Sequence, residues 1–483
     1  MKALMIAAGR GSGFNGLGPR SHKTLTPVWG LAVIERIIAA IPGLDELVVV
    51  TGFRREKLEA DLTRLIGSRL RLKFVFNPQW ERANGVSVLA AREALAGEER
   101  FLLTMSDHVF EQALAERLLA CPPSRGECVL AVDRNLGGVF DLDDATKVKL
   151  SADGRIGRIG KKLKDYDAAD TGVFYCTPAL FQALETTVSA GGESLSDGIR
   201  VLCEAGRMRW ADVTGCMWQD VDNLESLAEA KRRVWQSSQK PRDGVVSRLL
   251  NRKVSGFITR LLAGLPVRPN HVTLFNLFLA GLAGWLMAAG HLVAGALLAQ
   301  LYSIVDGVDG ELSRLKFQGS WFGAWLDNLS DRLCDWAIIA GAAWSVTAVG
   351  YGSGTAWTLL GISLFADLVY RTATDSLLVS GALRQGGRPE GLLARLETWF
   401  LEREMVFGLT HDSYLFLLAA GVALGFPLAT LLALAAGETL WWAAKSWQAA
   451  SSRPSEPYAS FLRSRRPGKE DEREPRIPEL ATR

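Results

Sequence analysis

Four aspartates within an otherwise apolar stretch constrain this chain more than any other feature. Apolar segments dominate from Val272 to Ala450, yet Asp306-Gly-Val-Asp309-Gly310-Glu-Leu-Ser-Arg314 and Gly323-Ala-Trp-Leu-Asp327-Asn-Leu-Ser-Asp331 place carboxylates inside them. Ionisable groups in such segments are costly and mark function by default. On helices, Asp306 and Asp309 form an i, i+3 pair and Asp327 and Asp331 an i, i+4 pair, so each pair shares one face. Two facing helices bring four carboxylates together, and at low dielectric these repel one another unless cations intervene. Oxygen-only donors favour Mg²⁺ or Mn²⁺, ions that also bridge phosphates. Gly310 and Gly323 remove side chains where a ligand or a neighbouring helix must approach. Arg314 supplies a fixed cation for a phosphate.

The apolar segments lie near 272–290, 292–313, 323–347, 355–380, 408–426 and 428–450. Each is long enough for a span of roughly 20 residues. The connections at Gly290-His291, Gly350–Gly354 and Gly425-Phe426-Pro427 carry no Lys or Arg. The alternate connections carry Lys316 in one case and Arg384, Arg388, Arg395 and Arg403 in the other, and Arg463, Arg465, Arg466 and Lys469 follow the last segment. The expectation is an all-α polytopic membrane domain of about six transmembrane helices, with both termini and the basic loops cytoplasmic. Between Val245 and Leu262, apolar residues alternate with Arg248, Arg252, Lys253 and Arg260 in the pattern of a helix lying in a membrane interface.

Residues 1–232 have the short apolar runs and charged intervals of a soluble α/β domain. The expected organisation is therefore a soluble domain at 1–232, a basic linker and interfacial helix at 233–268, a membrane domain at 269–450 and a charged, disordered tail at 451–483. The 483 residues exceed one ordinary domain. A net charge of only +3 gives no reason to expect nucleic acid. The six cysteines form no CxxC pair and read as reduced thiols of a cytosolic setting. The first apolar run, Ala3 to Ala8, reads as one short strand and not as an export signal.

The acidic string resembles the signature of the CDP-alcohol phosphatidyltransferase family, Asp-x2-Asp-Gly-x2-Ala-Arg-x8-Gly-x3-Asp-x3-Asp, with Ser313 the one departure. The resemblance runs from Pro269-Asn270-His271-Val272-Thr273 to about Ala450. It implies that Asp306, Asp309 and Asp327 hold the metals, with Asp331 sharing one and acting as general base on the acceptor hydroxyl. It also implies that Gly310 and Arg314 contact a CDP moiety and that CMP is the leaving group.

At the other end, Lys2 to Ala8 runs into Gly9-Arg-Gly11-Ser12-Gly13, then Lys23. A glycine loop after a first strand suggests phosphate cradling by backbone N–H groups; a tight strand-to-helix turn is the alternative. Phe14 stands where a dinucleotide fingerprint needs Gly, and His22 where a Walker A loop needs Gly. Phe101-Leu-Leu-Thr-Met-Ser106-Asp107-His108 delivers an acid at the carboxyl end of a strand, where ligands sit in open α/β sheets. Trp218-Gln-Asp220-Val-Asp222 supplies a second acidic site. Two acids, a glycine loop and a lysine suit Mg²⁺–nucleoside triphosphate chemistry, although each acid taken singly also reads as a helix N-cap.

Together these residues resemble sugar-nucleotide nucleotidyltransferases, inositol-1-phosphate cytidylyltransferases in particular. The residues that carry the likeness are Ala7-Ala8-Gly9-Arg-Gly11, His22-Lys23-Thr-Leu, Val48-Val-Val-Thr-Gly52-Phe, Asn84-Gly-Val-Ser87, Ser106-Asp107-His108, Asp144-Ala-Thr-Lys147-Val, Gly160-Lys-Lys-Leu and Asp170-Thr-Gly172-Val-Phe. The likeness implies a Rossmann-like α/β nucleotidyltransferase with a mixed sheet. It also implies that Gly9, Gly11, Gly13 and the catalytic Lys23 bind CTP phosphates, and that Asp107 and Asp220 or Asp222 hold Mg²⁺. Lys147 and Asp170 would lie near the polyol phosphate. The family usually carries an Arg shortly after the second loop glycine, where this chain has Gly13 and Phe14.

A CTP-using domain ahead of a CDP-alcohol-consuming one is the order found in the bifunctional inositol-1-phosphate cytidylyltransferase/di-myo-inositol phosphate phosphate synthase family. That order implies CTP, inositol 1-phosphate and a CDP-alcohol intermediate as ligands, membrane lipids as surroundings and a homodimer through the spans. Three alternatives stay open: a lipid acceptor, an inactive N-terminal binding module, and a different activated polyol.

Overall fold

The structure is a computed structural model that describes residues 1–10, 22–240, 242–379, 399–400, 402–403, 405–406 and 410–451. Gly11, Gly13, Arg384, Arg388, Arg395 and the charged residues of the tail lie outside these described residues. The chain divides into two compact units: Met1–Lys240 with Gly256–Pro269 and Val308–Gly323, and Pro241–Ser255 with Asn270–Gly307 and Ala324–Arg483.

The first unit is built on a nine-stranded mixed sheet. Its strands are β1 (Lys2–Ala7), β2 (Glu46–Thr51), β3 (Arg71–Phe76), β4 (Phe101–Met105), β6 (Cys128–Asp133), β7 (Lys147–Leu150), β8 (Ile156–Gly160), β9 (Ala168–Cys176) and β10 (Met208–Asp212), while β5 (His108–Phe110) and β11 (Trp218–Asp220) form a separate pair. The main order is β8-β7-β9-β4-β1-β2-β3, and β6 joins β9 to β10. β1 runs parallel to both β2 and β4, whereas β9 is antiparallel to β4. β1 and β2 read as near-continuous apolar runs because both faces of the sheet are covered. Alternate side chains take opposite sides: Ala3, Met5 and Ala7 join one buried core, and Leu4, Ile6 and Ala8 the other. Helices α1 (Val33–Ala40), α2 (Arg55–Ile66) and α4 (Gln112–Leu119) contribute to the first core, and α3 (Asn84–Ala90), α5 (Ala179–Ser189) and α6 (Leu195–Glu204) to the second. Helix α7 (Leu224–Ser237) starts on a capping Asn223, whose side chain accepts the N–H groups of Glu225 and Ser226. This is a Rossmann-like α/β fold with a mixed sheet.

Beyond α8 (Arg252–Ala263), six helices occupy the apolar segments: α9 (Pro269–Ala288), α10 (Leu292–Lys316), α11 (Trp321–Trp344), α12 (Ser353–Val379), α13 (His411–Ala423) and α14 (Pro427–Ser451). Of these, α9 and α10 are long and apolar enough to cross a membrane among the described residues. In α11 the run of Asp327, Asp331, Arg332 and Asp335 adds charge to a helix of spanning length.

Small residues let α9 and α11 approach closely. A Cβ added at Gly284 meets the Ala337 carbonyl, and one at Gly341 meets the Gly284 backbone. Gly341→Leu is therefore expected to cost about 1–3 kcal/mol by overpacking and to lower the melting temperature of the detergent-purified protein. Gly281→Leu, on an exposed position with nothing within 4 Å of the added carbon, leaves it unchanged.

Candidate active sites

The topology of the sheet collects the acids of the first unit at one edge. Parallel β1 and β4 end at Ala7 and Met105, so the chain leaves them at Gly9 and Asp107. Antiparallel pairing of β9 with β4, Val173 opposite Thr104, brings Asp170 and Gly172 to the same edge. β11 pairs antiparallel with β5, which sets Asp220 opposite His108. Gly172 has φ +75°, and a Cβ there would meet the His108 ring. At this position a left-handed backbone and a close approach both demand glycine.

His108 Nδ1 lies 2.8 Å from Asp107 Oδ1. The Lys23 ammonium sits 3.7 Å from Asp107 Oδ2 and is in closer contact with Asp222. Burial works against the His108 charge, but the Asp107 hydrogen bond and the negative charges of Asp107, Asp220 and Asp170 outweigh it and push the imidazole up to about 9. Burial likewise tends to raise Asp107, yet the His108 hydrogen bond and the charges of His108 and Lys23 hold it below the usual carboxylate range. Asp220 is raised, first by burial. His108 with its raised pKa thus sets a second cation beside Lys23 among the carboxylates, a charge-dense floor suited to a polyphosphate and its counter-cation.

Asp170 is raised from 3.8 to about 6 by burial, against the Gly172 N–H it accepts and the charge of His108. Between these two pH values the folded state keeps a proton that the unfolded chain has released, so stability falls as pH rises through that window. Asp170→Asn removes this dependence. The variant is expected to show a higher urea midpoint than the wild type at pH 7.5 and no gain at pH 4.

A cavity of about 200 Å³ opens beside these groups, lined among others by Asn84, His108, Lys161, Asp170, Asp220 and Asp222. Lys147 does not line it: its buried ammonium donates to the Asp143 carbonyl at 2.6 Å. Lys161, paired with Asp144 at 2.7 Å, is the lysine at the cavity. The Gly160-Lys-Lys-Leu motif pointed to Lys161, though no role was drawn from it. Asn84 accepts the Leu195 N–H at 2.9 Å, and a Cβ at Gly85 would lie 2.6 Å from the Glu193 carbonyl oxygen, which accounts for the Asn-Gly step.

In the second unit, α10 and α11 bring one oxygen each from Asp306, Asp327 and Asp331 within 4.8 Å of one another, all three residues half-buried. It is the one such cluster of His, Cys, Asp or Glu among the described residues. An all-carboxylate set this tight repels itself without a cation, and hard oxygen donors are those that Mg²⁺ and Mn²⁺ take. The residues therefore fit a divalent metal. Asp309, one turn beyond Asp306 on α10, is buried and accepts the Gly310 N–H at 2.5 Å. Arg314 donates from Nε to the Ser238 carbonyl at 2.5 Å, and a Cβ at Gly310 would lie 3.2 Å from Arg314 Nη1. The Gly323 N–H donates to Ser320 Oγ at 2.9 Å at the start of α11. One pair escaped the reading of the sequence: buried Asp335 and His411 Nε2, 2.8 Å apart. Its signal was present, since Asp327, Asp331 and Asp335 recur every four residues on α11.

Two family models match the chain, the MobA-like NTP transferase domain over residues 3–194 and CDP-alcohol phosphatidyltransferase over residues 266–401. The chain is 38% identical over 442 residues to a Rubrobacter xylanophilus protein named bifunctional IPC transferase and DIPP synthase, covering 90% of this chain and 93% of that one. Proteins of the same name from Archaeoglobus fulgidus and Aquifex aeolicus are each 33% identical, over 70% and 71% of this chain and 65% and 76% of theirs. Among solved structures, the inositol-1-phosphate CTP transferase from T. maritima matches with a TM-score of 0.43 at 21% identity, over 48% of this chain and 95% of that one. With both halves matched in order, and one relative matched over nearly its whole length, this chain belongs to the family of bifunctional IPC transferases and DIPP synthases.

Proposed function

We propose that the chain makes and then consumes a CDP-activated inositol. In the first reaction, a phosphate oxygen of inositol 1-phosphate attacks the α-phosphorus of CTP, forming CDP-inositol and releasing pyrophosphate. Gly9, Gly11 and Gly13 cradle the triphosphate and Lys23 neutralises it. Asp107 with Asp220 or Asp222 would hold Mg²⁺, and protonated His108 fixes the Asp107 carboxylate. Asp170, with Lys161, attends the inositol phosphate.

In the second reaction, a hydroxyl of an inositol phosphate acceptor attacks the inositol-bearing phosphorus of CDP-inositol and CMP leaves. Asp331 takes the hydroxyl proton, and Gly310, Arg314 and Gly323 hold the CDP moiety. Asp306, Asp309 and Asp327, with Asp331 sharing, would hold Mg²⁺ or Mn²⁺, which when bound neutralises charge on the diphosphate. On this reading α9 to α14 are six spans among membrane lipids, α8 lies in the interface with Phe257 and Leu261 exposed on its apolar face, the N-terminal unit and both sites are cytoplasmic, and two chains pair through the spans.

The observation that carries the reading is the presence on one chain of both acidic sites, in the order of a relative matched over 93% of its length. Incubating the purified protein with CTP and a panel of phosphorylated polyols tests it. Pyrophosphate release is expected with inositol 1-phosphate; release with another polyol and not with this one would replace the substrate.

A further inference from the structure

One buried cation in the first unit serves neither site described above. Arg36, on α1, is 1% exposed. Its Nε and Nη2 donate to the Val28 carbonyl at 2.9 and 2.6 Å, and Nη2 also donates to the Leu315 carbonyl at 3.1 Å. Three of the roughly five N–H donors of a guanidinium are thereby used, and Nη1 makes no hydrogen bond among the described residues. No carboxylate among them pairs with it either. Burial draws this guanidinium down to about 9, with only the charge of neighbouring Glu35 opposing. A buried charge held by two carbonyls and the face of the Phe317 ring, 5.8 Å away, with no counter-charge paired to it, is unfavourable, and the arrival of an anion relieves it.

Arg36 lines a cavity of about 530 Å³ together with Arg314, Ser313, Ser237, Gln112 and Glu111. The carboxylate of Glu111 already accepts the Met217 N–H at 2.9 Å. None of Asp107, Asp220, Asp222, Asp306, Asp327 or Asp331 belongs to this lining, so the cavity lacks a metal-binding set of its own. Two guanidiniums with hydroxyls beside them, and no such set, suit the planar, charge-assisted recognition of a dianionic phosphate. A diphosphate that travels with its metal is served elsewhere.

We propose that this cavity is a phosphate-binding site centred on Arg36, sharing Arg314 with the second acidic centre, and that its ligand is a small phosphorylated molecule. Arg36 lies in the N-terminal domain and Arg314 in the CDP-alcohol signature, so the site exists only in the fused chain. The two-step reading enters only in naming the ligands worth testing. Full-length protein in detergent is titrated calorimetrically with inositol 1-phosphate, CMP and inorganic phosphate in turn, without turnover. Arg36→Leu removes a cation. Ser237→Glu places a carboxylate at an exposed position of the rim and leaves the core untouched, which covers the case in which Arg36→Leu fails to fold. Arg36→Lys restores the charge.

The expected result is a loss of about tenfold or more in affinity in Arg36→Leu and Ser237→Glu for at least one ligand, largely recovered in Arg36→Lys. Weakening of inositol 1-phosphate alone assigns the site to a phosphorylated polyol, and weakening of CMP alone to the nucleotide. Weakening of all three ligands shows that phosphate by itself suffices. Unchanged affinity for all three in Ser237→Glu and in folded Arg36→Leu overturns the proposal. If wild-type protein releases no pyrophosphate from CTP, the two-step reading falls, and the binding comparison still decides the cavity.

Discussion

Asp331→Asn is expected to abolish CMP release from CDP-inositol, by about a thousandfold or more, while pyrophosphate release from CTP stays at the wild-type rate. The carboxylate lies within a trio whose oxygens approach within 4.8 Å, where removal of one charge weakens a metal site and removes the proton acceptor together. Loss of a single electrostatic group aimed at developing charge costs about 10²–10³ in rate, and loss of a general base about 10²–10⁴. With CTP and inositol 1-phosphate supplied, CDP-inositol accumulates in this variant, and chromatography of the reaction mixture shows it directly. Continued product formation removes Asp331 from the base role.

Asp107→Asn should produce the mirror image. Asp107 separates two cations, contacting His108 at 2.8 Å and Lys23 at 3.7 Å. The amide keeps the shape and loses the charge, so the His108 charge loses its nearest support and a ligand of the proposed metal is weakened. Pyrophosphate release from CTP is expected to fall by about 10²–10³-fold or more. CMP release persists when CDP-inositol is added from outside. Enzyme-coupled detection of pyrophosphate and of CMP in parallel separates the two variants, and a variant that stops both reactions would argue for misfolding.

The N-terminal fold was legible because its parallel strands are apolar runs that only a doubly covered sheet buries, as Lys2–Ala7 and Glu46–Thr51 show. The carboxylate trio was legible because helical spacing alone puts Asp327 and Asp331 on one face. Other features depend on partners distant in sequence. Nothing in Val-Ile-Glu-Arg36-Ile-Ile marks the arginine as buried, since the Leu315 carbonyl that it reaches lies 279 residues away. Lys316 reads as a loop charge facing water. It is instead 8% exposed and donates to the Leu262, Leu265 and Val267 carbonyls, which closes the end of α8. Lys147 and Lys161 could not be told apart from spacing, because only the pairing of β7 with β8 decides which ammonium reaches the cavity.

The most direct test is a time course on the purified full-length protein with CTP and inositol 1-phosphate, following pyrophosphate, CDP-inositol and CMP together. The account predicts pyrophosphate first, a rise and fall of CDP-inositol, and CMP after a lag, approaching one CMP for each pyrophosphate. Pyrophosphate with no CMP to follow, or CMP with no CDP-inositol before it, would contradict it.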